Sequence, residues 1–150
     1  MLYGGRGNDL LDGGTGDDYL NGGTGSDRYL FGRGSGKDII DNYDTSANST
    51  DTLSFGNDIK VDQLWFKKAG RHLEVSIIGS NDKVTIHNWY SSKAFQVDQF
   101  RTADKQTLLS SQVDALVSAM AAFAPPVAGE TVLPPDYQTQ LTPVIAANWQ

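Results

Sequence analysis

The chain has no cysteine and only two histidines among its 150 residues. The absence of cysteine excludes disulfides, thiolate zinc sites and cysteine nucleophiles. Long hydrophobic runs are also missing, and no stretch approaches the roughly 18 apolar residues that a membrane-spanning helix needs. The first residues, Met1-Leu2-Tyr3, lack the charged start and the apolar stretch of a cleavable signal peptide. We therefore expect either an intracellular protein or export by a route that reads another part of the chain.

Positive charge is scarce in the part of the chain where negative charge is concentrated. Residues 1–60 contain ten Asp and five Lys or Arg, whereas the remaining residues include eight acidic and seven basic side chains. Nucleic acids and anionic membranes bind clusters of Lys and Arg, so this distribution argues against both as partners. An acidic region without a basic counterpart favours cations.

Glycine, in contrast, is abundant and regularly placed. Twelve of the 16 glycines lie in residues 1–36, where three nine-residue units follow in phase: GGRGNDLLD (4–12), GGTGDDYLN (13–21) and GGTGSDRYL (22–30). A fourth, altered unit, GRGSGKDIID, covers residues 32–41. Each unit ends its glycine part in an aspartate and has a large apolar residue two positions later. The pairs are Asp9 with Leu11, Asp18 with Leu20, Asp27 with Tyr29 and Asp38 with Ile40.

The start of the chain fits the same period. Leu2 occupies the apolar position of a partial unit that precedes Gly4. We therefore expect the chain to be the end of a longer repeat array.

The composition of the repeat suits a metal-bound structure better than an apolar core. Glycine loses more entropy on ordering than any other residue, and a segment this polar is expected to be disordered alone. A glycine-rich loop can direct several carbonyl oxygens inward, and the aspartate adds a carboxylate. An all-oxygen site of irregular geometry suits Ca²⁺ better than Mg²⁺. Since two units would form one coil, we predict that the loop ending in Asp9 stacks on that ending in Asp27, and the loop ending in Asp18 on that ending in Asp38.

The three regular units resemble the RTX (repeats-in-toxin) nonapeptide, a repeat that binds Ca²⁺ in a parallel β-roll. The segments DTLSFGNDIKVDQLWF and HNWYSSKAFQVDQFRT resemble the domain that follows such repeats in haemolysin-type calcium-binding proteins. The resemblance implies about two or three bound Ca²⁺ ions. It also implies secretion from a bacterium by a type I secretion apparatus, which reads an uncleaved C-terminal signal.

The resemblance further implies a set of ligands. The carboxylates would come from Asp9, Asp18, Asp27 and Asp38, and carbonyl oxygens from alternate loop positions. The carbonyl positions are Gly4, Gly5, Arg6, Gly7, Gly13, Gly14, Thr15, Gly16, Gly22, Gly23, Thr24 and Gly25. The fourth unit departs from the pattern at Phe31-Gly32-Arg33, so no carbonyl ligands are assigned there.

The predicted fold is all-β, with a Ca²⁺-dependent parallel β-roll followed by a small β-rich capping domain with one C-terminal helix. We place the roll at residues 1–43, the capping domain at 44–109, and the helix with an extended tail, as a type I secretion signal, at 110–150. Period-two alternation predicts the strands, and apolar residues at helical spacing predict the helix. The predicted strands are 53–55, 61–67, 73–78, 83–87 and 95–102, and the predicted helix is Ser111–Phe123.

Several residues allow more than one interpretation. One interpretation of Asp41, Asp44 and Asp51 is that they complete a last site at the end of the roll. Residues 32–38 lack the first glycine and the Ser or Thr of a phosphate loop, which excludes that interpretation. His72 and His87 are interpreted as strand residues because neither has metal-ligand spacing with another histidine. The aromatic side chains of Trp65, Phe66, Trp89 and Tyr90 form either a sugar-stacking surface or part of a core.

The predicted function is that of a calcium-binding RTX module that folds on binding Ca²⁺ after type I secretion. It would stabilise and export a larger extracellular protein, whose N-terminal remainder would be its partner. The alternative is an extracellular adhesin or carbohydrate-binding module, which requires the aromatic residues to be exposed. We predict no enzymatic activity in these 150 residues, since they contain no nucleophile elbow, paired glutamates or zinc motif.

Overall fold

The computed structural model describes residues 1–46, 48–127 and 129–150, and most of the regular structure in these ranges is strand. The strands are β1 (Leu2–Tyr3), β2 (Leu10–Asp12), β3 (Tyr19–Asn21), β4 (Arg28–Phe31), β5 (Lys37–Ile40), β6 (Thr52–Phe55), β7 (Leu64–Ala69), β8 (His72–Ile77), β9 (Lys83–Ile86), β10 (Gln99–Arg101) and β11 (Thr107–Leu109). The α-helices are α1 (Val113–Met120) and α2 (Pro135–Asn148).

Consecutive strands of the repeat region alternate between two sheets. One sheet has the order β1-β3-β5-β9-β8-β7 and the other has the order β11-β10-β6-β4-β2. The repeat strands pair in parallel, with Leu2 opposite Leu20 and Leu20 opposite Ile40. The pairs β7–β8, β8–β9 and β10–β11 are antiparallel, so both sheets are mixed. A strand pairs with the next but one because each nine-residue unit carries the chain across to the opposite sheet.

The apolar residue of each repeat points between the sheets. Leu11, Leu20, Tyr29 and Ile40 are all buried, whereas Leu10, one position before Leu11, is 64% exposed. This alternation follows from the period of two along a strand. The large apolar residue two positions after each loop aspartate therefore faces the core.

The region after the repeats extends the same two sheets. Strand β6 pairs in parallel with β4, and β9 pairs in parallel with β5. Buried side chains from both regions, such as Tyr29 and Leu53, belong to one hydrophobic cluster. The predicted boundary at residue 43 therefore divides the sequence without separating two cores.

The predicted strands of the flanking region are present with altered bounds: β6 is one residue longer, β8 is shifted by one residue, and β7, β9 and β10 are shorter. The hairpin turns at Gly70, whose φ is +62°, and its first strand begins at Leu64 because Val61–Gln63 form a 3₁₀ turn. The segment predicted as one strand over residues 95–102 contains only β10, because Lys93–Phe95 form another 3₁₀ turn.

The C-terminal part corrects the predicted fold. An extended tail is wrong for residues Pro135–Asn148, which form α2, so the described chain has two α-helices rather than one. Proline suits the first turn of a helix because its missing N–H has no partner there. The buried side chains Leu141 and Ile145 lie one turn apart and anchor α2, but Pro143 between them breaks the apolar period. Neither helix of the described chain has the length and apolar character needed to cross a membrane.

Candidate metal centre

A glycine-rich loop precedes each repeat strand. We call them loop 1 (residues 4–9), loop 2 (13–18), loop 3 (22–27) and loop 4 (32–38). Two glycines in each loop have positive φ, for example +89° at Gly5 and +98° at Gly7. The altered fourth unit keeps this feature at Gly34 and Gly36, with φ of +86° and +85°. Loop 4 therefore retains the two left-handed glycines, which its departure at Phe31-Gly32-Arg33 concealed in the sequence.

The loops stack in the predicted pairs. In loops 1 and 3, the Thr24 N–H donates to the Gly5 carbonyl, and the Gly7 N–H donates to the Thr24 carbonyl, both at 3.0 Å. In loops 2 and 4, the close approach is visible at Gly36, where an added methyl group would lie 2.6 Å from the Gly16 carbonyl oxygen. The predicted pairing of loop 1 with loop 3 and of loop 2 with loop 4 is confirmed.

The aspartates that end the loops form ladders through one carboxylate oxygen. The Asp9 N–H donates to Oδ1 of Asp27, and the Asp18 N–H donates to Oδ1 of Asp38, each at 2.9 Å. The first ladder continues beyond the repeats. The Asp27 N–H donates to Oδ1 of Asp51 at 2.8 Å, and the Asp51 N–H donates to Oδ2 of Asp98 at 2.7 Å. The structure thus places all four predicted carboxylates at the facing edges of stacked loops.

The second carboxylate oxygen of three of these residues has no partner. Oδ2 of Asp9, of Asp18 and of Asp27 is buried and accepts no hydrogen bond among the described residues. A buried carboxylate oxygen without a donor costs several kcal/mol of free energy, on the order of 2–7 for a neutral polar group and more for an ion. A positively charged partner beside these three atoms would therefore stabilise the folded loops.

The first glycine of loops 1, 2 and 3 makes room beside this free oxygen. A methyl group added to Gly4 would lie 2.7 Å from Oδ2 of Asp9 and still closer to the carbonyl oxygen of Gly22 in the next loop. A methyl group at Gly13 would lie 2.7 Å from Oδ2 of Asp18. A carboxylate oxygen and a carbonyl oxygen from two stacked loops thus converge beside Gly4, as the donor set of a hard cation requires.

The donors present fit Ca²⁺ if carbonyl groups supply most of the ligands. Within residues 1–46, 48–127 and 129–150, no three His, Asp or Glu side chains converge as a metal-binding group. The predicted carbonyl positions Gly5 and Thr24 already accept hydrogen bonds between loops. A carbonyl oxygen has two lone pairs, so this bond leaves one for a cation. The assignment of individual carbonyl ligands stays a prediction.

Burial and neighbouring charge raise the pKa of two of the four carboxyl groups, those of Asp27 and Asp38. Burial raises the pKa of Asp27 to about 6, against the opposing effect of the Asp9 N–H, and the Asp51 and Asp9 carboxylates raise it further. Burial likewise raises the pKa of Asp38 to about 6, with the Asp18 carboxylate as a further cause. Without a bound cation, the negatively charged form of these two carboxyl groups is therefore disfavoured in the folded loops.

Two of the three residues predicted to complete a last site, Asp51 and Asp44, already accept hydrogen bonds through both carboxylate oxygens. Oδ1 of Asp51 accepts from Asp27, and its Oδ2 accepts from the side-chain amide of Asn42 at 2.9 Å. Asp44 accepts the N–H groups of Gly25 and Ser46. These bonds distinguish Asp51 and Asp44 from Asp9, Asp18 and Asp27, whose second oxygen has no partner among the described residues.

Asp41 differs from Asp44 and Asp51. It accepts from the hydroxyl of Tyr19 at 2.6 Å, while its Oδ1 is buried without a partner among the described residues. This hydrogen bond raises the pKa of Tyr19 to about 12, with burial and the Asp41 charge adding to it. Asp41 follows β5, whereas Asp44 and Asp51 lie beneath loop 3, so the three do not form one site.

Sequence analysis missed the side chains that join one loop to the next. Oδ1 of Asn8 accepts the Ser26 N–H at 2.8 Å, and Oδ1 of Asp17 accepts the Lys37 N–H at 2.9 Å. The recurrence of Asn or Asp directly before the ligand aspartate is a signal that would have identified them. Asp82, which accepts the N–H groups of loop 4 at 2.9 and 3.0 Å, lies in the flanking region and has no such signal.

The sugar-stacking surface is wrong for three of the four aromatic residues. Trp65, Phe66 and Trp89 are at most 3% exposed, so their ring faces belong to the core. They pack against other rings, and Phe66 meets Phe100 edge-on with centroids 5.6 Å apart. Tyr90 is only partly buried, and the ammonium group of Lys68 lies 4.7 Å from its ring centroid. The adhesin alternative therefore loses the exposed rings on which it depends.

Two family models match the chain. The model of the RTX calcium-binding nonapeptide repeat (4 copies) matches residues 1–29, and that of the haemolysin-type calcium binding protein related domain matches residues 72–104. The first match contains loops 1 to 3, with the three aspartates whose second oxygen is free. The second match begins at β8 and includes β9 and β10. Repeats of this kind bind calcium, are non-catalytic, and belong to proteins typically secreted by bacteria through the type I route.

Proposed function

We propose that this chain, an RTX calcium-binding protein, binds two Ca²⁺ ions in its stacked loops and folds as a parallel β-roll in response, outside the cell. One ion would be held by Asp9 and Asp27 with carbonyl groups of loops 1 and 3. The other would be held by Asp18 and Asp38 with carbonyl groups of loops 2 and 4. The observation that carries the proposal is the buried Oδ2 atom of Asp9, Asp18 and Asp27, which lacks a donor.

The repeat region has little else to hold it together. Its strands have two to four residues; β1 contributes no buried side chain, and β2 to β5 contribute one or two each. Against this, the ladders bring carboxylates of like charge close together, because each joins the backbone N–H of one aspartate to the carboxylate of the next. When bound, Ca²⁺ supplies the positive charge that these buried oxygens lack. Folding is therefore coupled to calcium concentration, which is low in the cytosol and high outside the cell.

A third ion, beneath loop 3, is not part of the proposal. Both oxygens of Asp51 and both oxygens of Asp44 already accept hydrogen bonds. The side-chain amide of Asn42 donates a hydrogen bond to Oδ2 of Asp51. This bond satisfies the second carboxylate oxygen, which a cation would do for the repeat aspartates. We infer that the step of the ladder at Asp51 takes up no calcium, so the chain binds two ions rather than three.

The flanking region serves as the cap of the roll. Strands β6 and β9 pair with the last repeat strands, and antiparallel strands then complete each sheet. Without them the last coil would expose unpaired backbone groups to association with other chains. The module would stabilise the N-terminal remainder of a larger secreted protein, and the C-terminal region that contains α1 and α2 would carry the signal for the type I apparatus.

Calorimetric titration of Ca²⁺ together with far-UV circular dichroism tests this function. We expect two ions per chain and a gain of strand signal between chelator and about 10 mM Ca²⁺. Asp18→Asn should remove one ion and shift the folding midpoint to higher calcium. An unchanged strand signal over this range would refute calcium-coupled folding.

Asp17→Asn is the matched control. It removes the same charge one residue away, and loop 1 has Asn8 at the equivalent position, where it makes the same bond between loops. We expect this variant to bind two ions with nearly the affinity of the wild type. If Asp17→Asn and Asp18→Asn lose calcium equally, the ligand assignment is wrong.

A further inference from the structure

The outer face of the sheet that contains β4, β6 and β10 has a cavity of about 440 Å³. Polar and positively charged side chains dominate its walls. The polar and charged side chains in these walls include those of Arg28, Thr52, Ser54, Gln99, Arg101 and Lys105. None of them is among the candidate calcium ligands, so the cavity is a separate feature of the molecule.

Strand register brings these residues together from distant parts of the sequence. Arg28, Thr52 and Gln99 lie opposite one another on three adjacent strands. Two residues further along, Ser54 pairs with Arg101. The residues between them, such as Leu53 and Phe100, are fully buried and point into the core. The period of two along each strand therefore directs all five polar side chains to the outer face.

Within the described part of the chain, the cations at this face form no ion pair with an acidic side chain. The ion pairs among the described residues are Arg33–Asp58, Lys60–Asp104 and Lys83–Glu74. Arg28, Arg101 and Lys105 take part in none of them, although the chain has a net charge of −6. Asp12 lines the adjoining cavity together with Arg28 without forming an ion pair. An acidic chain that leaves three cations unpaired around one cavity presents a site for an anion.

Hydrogen bonds within the cavity wall leave several donors and acceptors available for a ligand. Nε of Arg28 donates to the hydroxyl of Ser54 at 2.9 Å, which fixes the plane of the guanidinium and leaves its terminal nitrogens as donors. The side-chain amide of Gln99 donates to the hydroxyl of Thr52 at 2.9 Å. This leaves the carbonyl oxygen of Gln99 as an acceptor and the Thr52 hydroxyl as a donor.

We propose that this cavity binds an acidic saccharide through the carboxylate of a uronic acid unit. Guanidinium groups recognise a planar carboxylate through paired hydrogen bonds, and the hydroxyl and amide groups match the ring hydroxyls of a sugar. A volume of about 440 Å³ lies within the range of small-ligand sites and is too small for a folded partner. The proposal requires no exposed aromatic ring, unlike the surface excluded above.

The site spans the junction between the repeats and the flanking region. Arg28 follows the candidate ligand Asp27 directly, whereas Ser54 and Arg101 belong to flanking strands. The cavity exists only when β4 is paired with β6. Binding is therefore calcium-dependent, and this part of the inference rests on the proposed function. By linkage, the saccharide would raise the affinity for calcium by the same factor.

Isothermal titration of the calcium-loaded chain with a hyaluronan tetrasaccharide tests the proposal. We expect saturable binding of the acidic sugar and at least a tenfold weaker response to the same sugar with its carboxylates reduced to alcohols. Arg28→Gln and Arg101→Gln should each weaken binding about tenfold or more. Arg71→Gln is the matched control, because Arg71 is exposed at the β7–β8 turn away from the cavity. Equal binding of both sugars, or equal binding by all variants, would overturn the proposal.

Two further arms separate the possible outcomes. Inorganic sulfate that competes as strongly as the tetrasaccharide would indicate a simple anion site and refute the saccharide. Circular dichroism of the same samples reports folding independently of the sugar. A chain that folds with Ca²⁺ but does not bind the sugar contradicts this inference alone. A chain that folds and binds the sugar in chelator contradicts calcium-coupled folding and its linkage, while the saccharide site stands.

Discussion

Mild acid should partly replace calcium in folding this chain. Burial raises the pKa of both Asp27 and Asp38 to about 6, from 3.8 for a free carboxyl group. A group whose pKa is raised in the folded state stabilises that state below the unfolded pKa, and this contribution is lost as the pH rises through the folded value. Without calcium, the folded state is therefore favoured at low pH and penalised near neutral pH.

The magnitude follows from the two pKa values. At about pH 5, each carboxyl contributes about 1.4 kcal/mol to the free energy of unfolding relative to about pH 7.5. Because Asp27 and Asp38 lie in different ladders, their contributions add to about 3 kcal/mol. Three carboxyls act in the opposite direction. Burial would raise the pKa of Asp82 and Asp44, but hydrogen-bond donors outweigh it and lower both values, and the Thr102 hydroxyl lowers the pKa of Asp104. The stabilisation that these groups provide is lost only as the pH falls below the pKa of a free carboxyl group, so it remains at about pH 5.

The assay is far-UV circular dichroism in calcium-free buffer at a series of pH values. Dilute samples are needed because the sequence pI is about 4.6. We expect strand signal and urea midpoint to rise from about pH 7.5 to about pH 5. The variant Asp27→Asn/Asp38→Asn should lose most of this dependence. A calcium-free chain that is less folded at pH 5 than at pH 7.5 would refute the reasoning.

Three substitutions test the packing of the loops, the end of the ladder and the C-terminal helix. Gly23→Ala should raise the calcium midpoint more than Gly5→Ala: both positions have positive φ, but only at Gly23 would the methyl group meet a carbonyl oxygen of the neighbouring loop. Equal midpoints would contradict the loop stacking. Asn42→Ala removes the donor to Asp51 and should cost about 2 kcal/mol in urea unfolding of the calcium-loaded chain, without changing the number of bound ions. Leu141→Ala should cost about 3 kcal/mol in thermal unfolding if α2 is packed, and nearly nothing if the tail is extended.

Much of the repeat region could be predicted because its information is periodic. A nine-residue repeat with an apolar residue at one fixed position determines which side chain points inward, and Leu11 and Leu20 follow it. The pairing of the loop of Asp9 with that of Asp27 follows from two units per coil. The same local signal says nothing about the partner of Asp51, since Asn42 and Asp98 reach it by tertiary contacts.

The flanking region resisted prediction for two physical reasons. Aromatic residues such as Trp65 and Trp89 suit both cores and binding surfaces, so composition alone does not separate the two. The helix α2 has few buried apolar residues and contains Pro143, so its period is weak until Leu141 and Ile145 meet the rest of the core. The cavity on the outer face was equally hidden, because strand pairing and not sequence proximity unites Arg28 with Ser54.

Strand β4 connects the three features that matter most for function. Asp27, the residue before β4, ends loop 3, and its buried Oδ2 atom has no hydrogen-bond partner among the described residues. Tyr29 points inward, where its hydroxyl donates to Asn42 at 2.6 Å and accepts the Gly22 N–H at 2.9 Å. Arg28 points outward into the polar cavity. A change of charge at Asp27 therefore acts on the same short strand that holds the core and the outer face, so calcium, packing and the outer cavity are thermodynamically one system.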